Sequence, residues 1–259
     1  MYLCLIDLMR TPAPILADLR ISTYDAVNRH PQTPTEFWHG FSTSPFPLFL
    51  PVALKLRELY VSRAAVMCRR PHPGLPSLRR LVLSLDHVHT VHLHDMLAIS
   101  PNLKHLSLNV DEALLEGNAL PGAPELALHL TKLEVRNGQL FDLLADGARL
   151  LLNLSHLVLH DVTQLSVAPA LASRLTRLEI VYQENLHDYL VILRELKCVE
   201  HVCIGDGVSM RDDLFFAPLC DPQDPMWPNL KVLAFGHVEL LSVDKDAVLR
   251  LLRAWNVEG

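Results

Sequence analysis

One short pattern recurs along the chain: apolar, two variable residues, apolar, one variable residue, apolar. It reads Leu16-Leu19-Ile21, Leu56-Leu59-Val61, Leu78-Leu81-Leu83 and Leu103-Leu106-Leu108 in the first half. It continues as Leu130-Leu133-Val135, Leu154-Leu157-Leu159, Leu175-Leu178-Ile180, Val199-Val202-Ile204 and Leu230-Leu233-Phe235. The starts are separated by 40, 22, 25, 27, 24, 21, 24 and 31 residues. Alternation within each copy demands a strand, because successive side chains on a strand point to opposite faces. A strand this short cannot bury its own apolar face. Stacking copies about 4.8 Å apart builds the continuous core that one copy lacks.

Most of the intervals fall in the range of a leucine-rich repeat. Helical spacing lies between several strands. Gln139 to Asn153 carries Leu140, Leu143, Leu144 and Leu151; Asn185 to Lys197 carries Leu186, Tyr189, Leu190 and Leu193; Asp244 to Trp255 carries Val248, Leu249, Leu251 and Leu252. The expected fold class is α/β: a leucine-rich-repeat solenoid in the form of an open horseshoe. Its parallel β-sheet lines the concave face, and helices and irregular turns form the convex face. One domain of about nine irregular repeats spans 1–259. A Pro-rich loop or eroded repeat occupies 22–53, and an insertion occupies 205–228. In the loop, Phe37 and Trp38 are read as packed; the insertion either shapes a binding site or is an ordered spacer packed by Leu214, Phe215, Phe216 and Trp227.

The chain resembles the leucine-rich repeat region of fungal F-box proteins of the basidiomycete type. The phrases that carry the likeness are APILADLRIS, LAISPNLKHLSL and MWPNLKVLAFGHVELLSVDKDAVLRLLRAW, with Pro101-Asn102-Leu103 and Pro228-Asn229-Leu230 as strand lead-ins. The resemblance implies substrate recognition for a ubiquitin ligase of the SCF type. It also implies an F-box that docks on the Skp1 adaptor. The repeats are already under way at Leu16, so the F-box is expected to be absent from this chain, and Skp1 binding is expected only if an upstream F-box exists. Many leucine-rich repeats carry Asn or Cys five residues after the second core leucine. Here those positions read Asp86, Asp111, Gly138, Val162, Gln183 and Gly207, so irregular turns are expected.

Hydrophobic residues make up 50% of the 259 positions, enough for a large core, and the net charge is −6. That balance gives no basis for nucleic-acid binding, and no apolar run is long enough for a transmembrane helix. MYLCLIDLMR is broken by Asp7 and Arg10 and does not read as a signal peptide. Five cysteines without a CxxC pair suit a reduced compartment, cytoplasmic or nuclear.

No GxSxG, phosphate-binding Gly-rich loop or HExxH is present. No catalytic residue, metal site or cofactor is assigned, and the chain is not expected to be an enzyme. The alternative is a metal-binding or hydrolytic protein built on LDHVHTVHLHD, where His87, His89, His92 and His94 lie between Asp86 and Asp95. No regular element brings all four histidines to one point. The stretch is placed in the turn and outer arm after the third strand, with Val88, Val91, Leu93, Met96 and Leu97 packing inward.

The repeat register exposes a second feature. The residue before the second leucine of each strand points away from the core. From the third to the eighth repeat it reads Arg80, His105, Lys132, His156, Arg177 and His201. Glu134 and Glu179 lie one step along the same face from Lys132 and Arg177, placed to relieve repulsion. Histidines between fixed cations are expected to stay neutral near pH 7. This basic column, with the two glutamates, is the candidate partner-binding site, suited to an acidic or phosphorylated segment of a protein partner. Cys203 shares the same face, where an idle thiol is the expected reading.

Overall fold

Apolar residues at every second position give each repeat an inward edge, and all nine copies of the pattern form strands. The computed structural model describes residues 12–22, 53–62, 74–89, 93, 96–114, 129–136, 151, 153–160, 169–182, 186, 190–206, 208, 218–221, 223–236, 246 and 249. The strands are β1 (Asp18–Ser22), β2 (Glu58–Ser62), β3 (Arg80–His89), β4 (His105–Leu114) and β5 (Lys132–Val135). They continue with β6 (His156–His160), β7 (Arg177–Val181), β8 (His201–Ile204) and β9 (Val232–Phe235). All pair in parallel and in sequence order within one nine-stranded sheet. This is the expected solenoid, with each repeat touching its neighbours along the sheet.

The register is uniform. Leu59, Leu81, Leu106, Leu133, Leu157, Leu178 and Val202 form one core column. Val61, Leu83, Leu108, Val135, Leu159, Ile180 and Ile204 form the second. All of these are buried. Burying a leucine-sized side chain stabilises by roughly 1.5–3 kcal/mol, so the two columns supply much of the driving force. The other side of the core comes from the connecting segments: Leu93, Met96, Leu97, Leu151, Leu171, Leu186, Leu190 and Leu193 join the same cluster. Helices among the described residues are short: α1 (Pro169–Ala172) and α2 (Leu190–Arg194). Helix α2 realises part of the helix expected from Asn185 to Lys197. Most of the other two expected helices, and residues 23–52 of the Pro-rich segment, lie outside the described residues.

Several strands are introduced by a β-turn whose fourth amide bonds back to the first carbonyl. Leu16 donates to Ala13, Leu78 to Leu75, Leu103 to Ser100 and Leu230 to Trp227, at 3.0–3.2 Å. Pro14, Pro76, Pro101 and Pro228 occupy the second position of these turns, where their fixed φ fits. The asparagine after the proline also reaches across repeats. Asn102 Nδ2 donates to the Pro76 carbonyl and Asn229 Nδ2 to the Lys197 carbonyl, both at 2.9 Å. Turn-stitching asparagines therefore exist, but they precede the strand rather than follow it. Hydroxyls do the same work further along: Thr131, Ser155 and Thr176 each donate to the carbonyl of the equivalent residue one repeat earlier.

The histidine run is placed differently from the sequence expectation. Strand β3 runs on through His89 because β4 runs on through Leu114, pairing Leu85 with Val110, His87 with Glu112 and His89 with Leu114. The first half of the run is strand, not turn. Leu93, Met96 and Leu97 are buried, as expected. Within the insertion at 205–228, Trp227 is buried and its Nε1 donates to the Leu193 carbonyl at 3.0 Å. Lys197 Nζ reaches Asp224 Oδ1 at 2.7 Å, tying that segment to the turn after α2. Leu214, Phe215 and Phe216 lie outside the described residues.

Candidate functional site on the open face of the sheet

The face opposite the leucine core carries the residues between the core positions. Arg80, His105, Lys132, His156, Arg177 and His201 are direct partners from strand to strand, one column across β3 to β8. Two acids extend the column on its N-terminal side, Glu58 and Asp18, and Val232 ends it on the other. Glu58 lies 3.9 Å from Arg80, with both side chains half exposed, so this pair contributes little.

The neighbouring column on the same face reads Arg20, Tyr60, Val82, Ser107, Glu134, Val158, Glu179, Cys203 and Ala234. Its two glutamates organise the site. His156 Nε2 lies 2.9 Å from Glu179 Oε1, and Arg177 Nη2 approaches the same oxygen at 2.9 Å. Glu134 receives His160 Nε2 at 3.1 Å on Oε1, while His105 Nε2 stands 3.7 Å from Oε2, beyond hydrogen-bond reach. An ionised carboxylate only accepts, so Nε2 of His156 and of His160 must carry the proton in each contact. The two histidines of β6 thus turn in opposite directions, His160 toward β5 and His156 toward β7. Val158 sits between them, flanked in register by both glutamates, and is only 3% exposed although it faces away from the main core.

These contacts set the charge states. The facing imidazoles of His105 and His160 hold the Glu134 carboxyl well below the usual carboxylate range, against the opposing cost of burial. Burial pushes His156 below its ordinary value; Lys132 and Arg177 push the same way, and Glu179 opposes them. His156 is therefore held neutral near pH 7, the direction expected for a histidine between fixed cations. Burial also raises the Cys203 thiol, with Glu179 adding to the effect, so this thiol is poorly activated.

The sequence reading placed six basic or imidazole residues and two acids on one face, and the register brings all eight together across β3–β8. The two acids expected to relieve repulsion take specific partners: Glu179 contacts His156 and Arg177, and Glu134 contacts His160 with His105 at 3.7 Å, so the centre is not a bare cationic stripe. The sequence reading missed His160, two steps along β6 from Val158 on the open face; extending the outward alternation by one more position would have found it. Of the alternative site, His87 and His89 are placed only as backbone within β3, and His92 and His94 lie outside the described residues. Among the described residues, no cluster of three or more metal-ligating side chains is present, and no helix is long and apolar enough to cross a membrane.

No family model matches the chain, and no curated protein matches it.

Proposed function

We propose that this chain is a protein–protein interaction module and that the open face of its sheet, from Arg80 to His201, receives the partner. The observation that carries this reading is the in-register column of six basic or imidazole side chains, cross-linked by Glu134 and Glu179. Side chains already held by their neighbours lose little rotamer freedom on binding, which favours a preorganised recognition surface. Cations at Arg80, Lys132 and Arg177 favour a partner with an acidic or phosphorylated segment.

The finer reading is a substrate-recognition region like that of F-box proteins, working in the cytoplasm or nucleus. It rests on the motifs quoted above. Assembly into a ubiquitin ligase needs an F-box that binds Skp1, and co-purification of Skp1 with the full gene product tests that point. The module itself performs no catalysis in this reading.

Site-directed photo-cross-linking tests the placement of the partner. Tyr60 lies on the open face and is 37% exposed; Val191 lies on α2, away from that face, and is 74% exposed. A photoreactive phenylalanine analogue at position 60 is expected to capture a discrete protein that the same group at position 191 does not. Capture from position 191 alone would place the partner elsewhere.

A further inference from the structure

A second cationic feature lies off the open face, at the edge where the strands begin. The residue two before the second core leucine reads Arg57, Arg79 and Lys104 in three successive repeats. These residues line an open groove of about 340 Å³, together with His129, Pro76, Ser77 and Asn102. Arg57 and Arg79 also line an adjoining hollow of about 290 Å³ with Glu58 and Arg80. Adjacent strands are about 4.8 Å apart, so the three fixed cations fall within about 10 Å.

Several observations distinguish this groove from the open face. There, the acids Glu134 and Glu179 neutralise their neighbours. In the groove, no acid among the described residues pairs with Arg57, Arg79, Lys104 or His129. The backbone does not offset the charge either. The Arg57 carbonyl is taken by the amides of Arg79 and Arg80, and the Arg79 carbonyl by those of Lys104 and His105. The Lys104 carbonyl accepts the amides of Thr131 and Lys132 and the Thr131 hydroxyl. The groove wall is held by the Asn102 bond to Pro76 and by the proline turns at Pro76 and Pro101. The cationic run then stops: the equivalent positions become Thr131, Ser155 and Thr176, whose hydroxyls bond back to the preceding repeat.

From this arrangement we propose that the groove formed by Arg57, Arg79, Lys104 and His129 is an anion site that receives a phosphomonoester group carried by a segment of the protein partner. Three cations lining one groove match the charge and acceptor oxygens of one phosphomonoester. A run of only three cations, on a chain of net charge −6, fits a compact anion better than a polyanionic strand. The proposal rests on the protein-binding reading for its source of phosphate, but its site and its probes are separate from the open face.

The test is titration of the isotope-labelled chain with N-acetyl-phosphoserine-N-methylamide, followed through backbone amide shifts. The unphosphorylated analogue and inorganic phosphate serve as comparisons. The expected result is saturable shifts centred on residues 57, 79, 104 and 129 with the phosphoserine derivative, competition by inorganic phosphate, and none with the unphosphorylated analogue. The triple variant Arg57→Gln, Arg79→Gln, Lys104→Gln should retain its fold, since all three side chains are exposed, and lose affinity about tenfold or more. Lys231→Gln, outside both the groove and the open-face column, should leave binding unchanged. Absence of shifts, equal binding by the triple variant, or tighter binding of a short single-stranded RNA with shifts spreading beyond the groove would overturn the proposal. None of these results bears on cross-linking from position 60, so the two readings fail separately.

Discussion

The imidazole of His156 lies 2.9 Å from the carboxylate of Glu179, one strand over and one outward step along. Burial and the nearby cations Lys132 and Arg177 keep that imidazole neutral, while the glutamate holds it in place. Both histidines of β6 are therefore held by carboxylates on the flanking strands, with the cations Lys132 and Arg177 beside His156.

Acid should weaken the fold in two stages. His156 sits below its ordinary value of 6.5 in the folded chain, so below pH 6.5 the unfolded chain takes up this proton first and stability falls as pH drops. Glu134 is held below 4.5, so its contribution is present above pH 4.5 and is lost as pH falls further. Urea unfolding across this range should show His156→Gln with a shallower loss below pH 6.5 and Glu134→Gln with a shallower loss below pH 4.5. An unchanged slope in either variant would contradict the assignment.

The core columns should behave as one packed stack. Leu133 is fully buried between Leu106 and Leu157. Leu133→Ala should cost about 2–5 kcal/mol, measured from the denaturant midpoint at constant slope. A loss well under about 1 kcal/mol would mean that the sheet relaxes around the cavity.

Gly205 follows β8 where a side chain would be crowded. A Cβ there would stand 3.0 Å from Val181 Cγ2 and 3.3 Å from the Ile180 carbonyl, which accepts the Gly205 amide at 2.7 Å. Gly205→Ala should destabilise by about 1–3 kcal/mol, and Val181→Ala should relieve part of that cost. Additive losses in the double variant would rule out the clash as the cause.

Cys203 should be a slow thiol. Its environment favours the protonated form, so alkylation by iodoacetamide near pH 8 should be slower than that of a cysteine in an unstructured peptide. Glu179→Gln should speed it, because that carboxylate is one of the causes. Reaction at the peptide rate would show that the face does not protect the thiol.

Much of this architecture was legible in the residues. Alternation makes Leu106 and Leu108 inward and His105 outward, and a uniform repeat carries the same assignment to every strand. The pairing of His160 with Glu134 was not legible, because it depends on rotamers reaching between strands. The extension of β3 to His89 was hidden too: His87 and His89 break the apolar alternation, and the strand continues there because β4 offers a partner. Pro101 and Asn102 were visible as a lead-in, yet the bond from Asn102 to Pro76 joins residues a whole repeat apart.

The most direct test of partner binding on the open face is the affinity of the protein cross-linked from position 60 for wild type and for Arg80→Glu, Lys132→Glu, Arg177→Glu. Titration calorimetry, with circular dichroism confirming an unchanged fold, should show a loss of about tenfold or more, since charge reversal opposes an acidic partner at three points. Lys231→Glu, outside the column, should bind as wild type. Equal affinity of the triple variant and wild type would contradict the account.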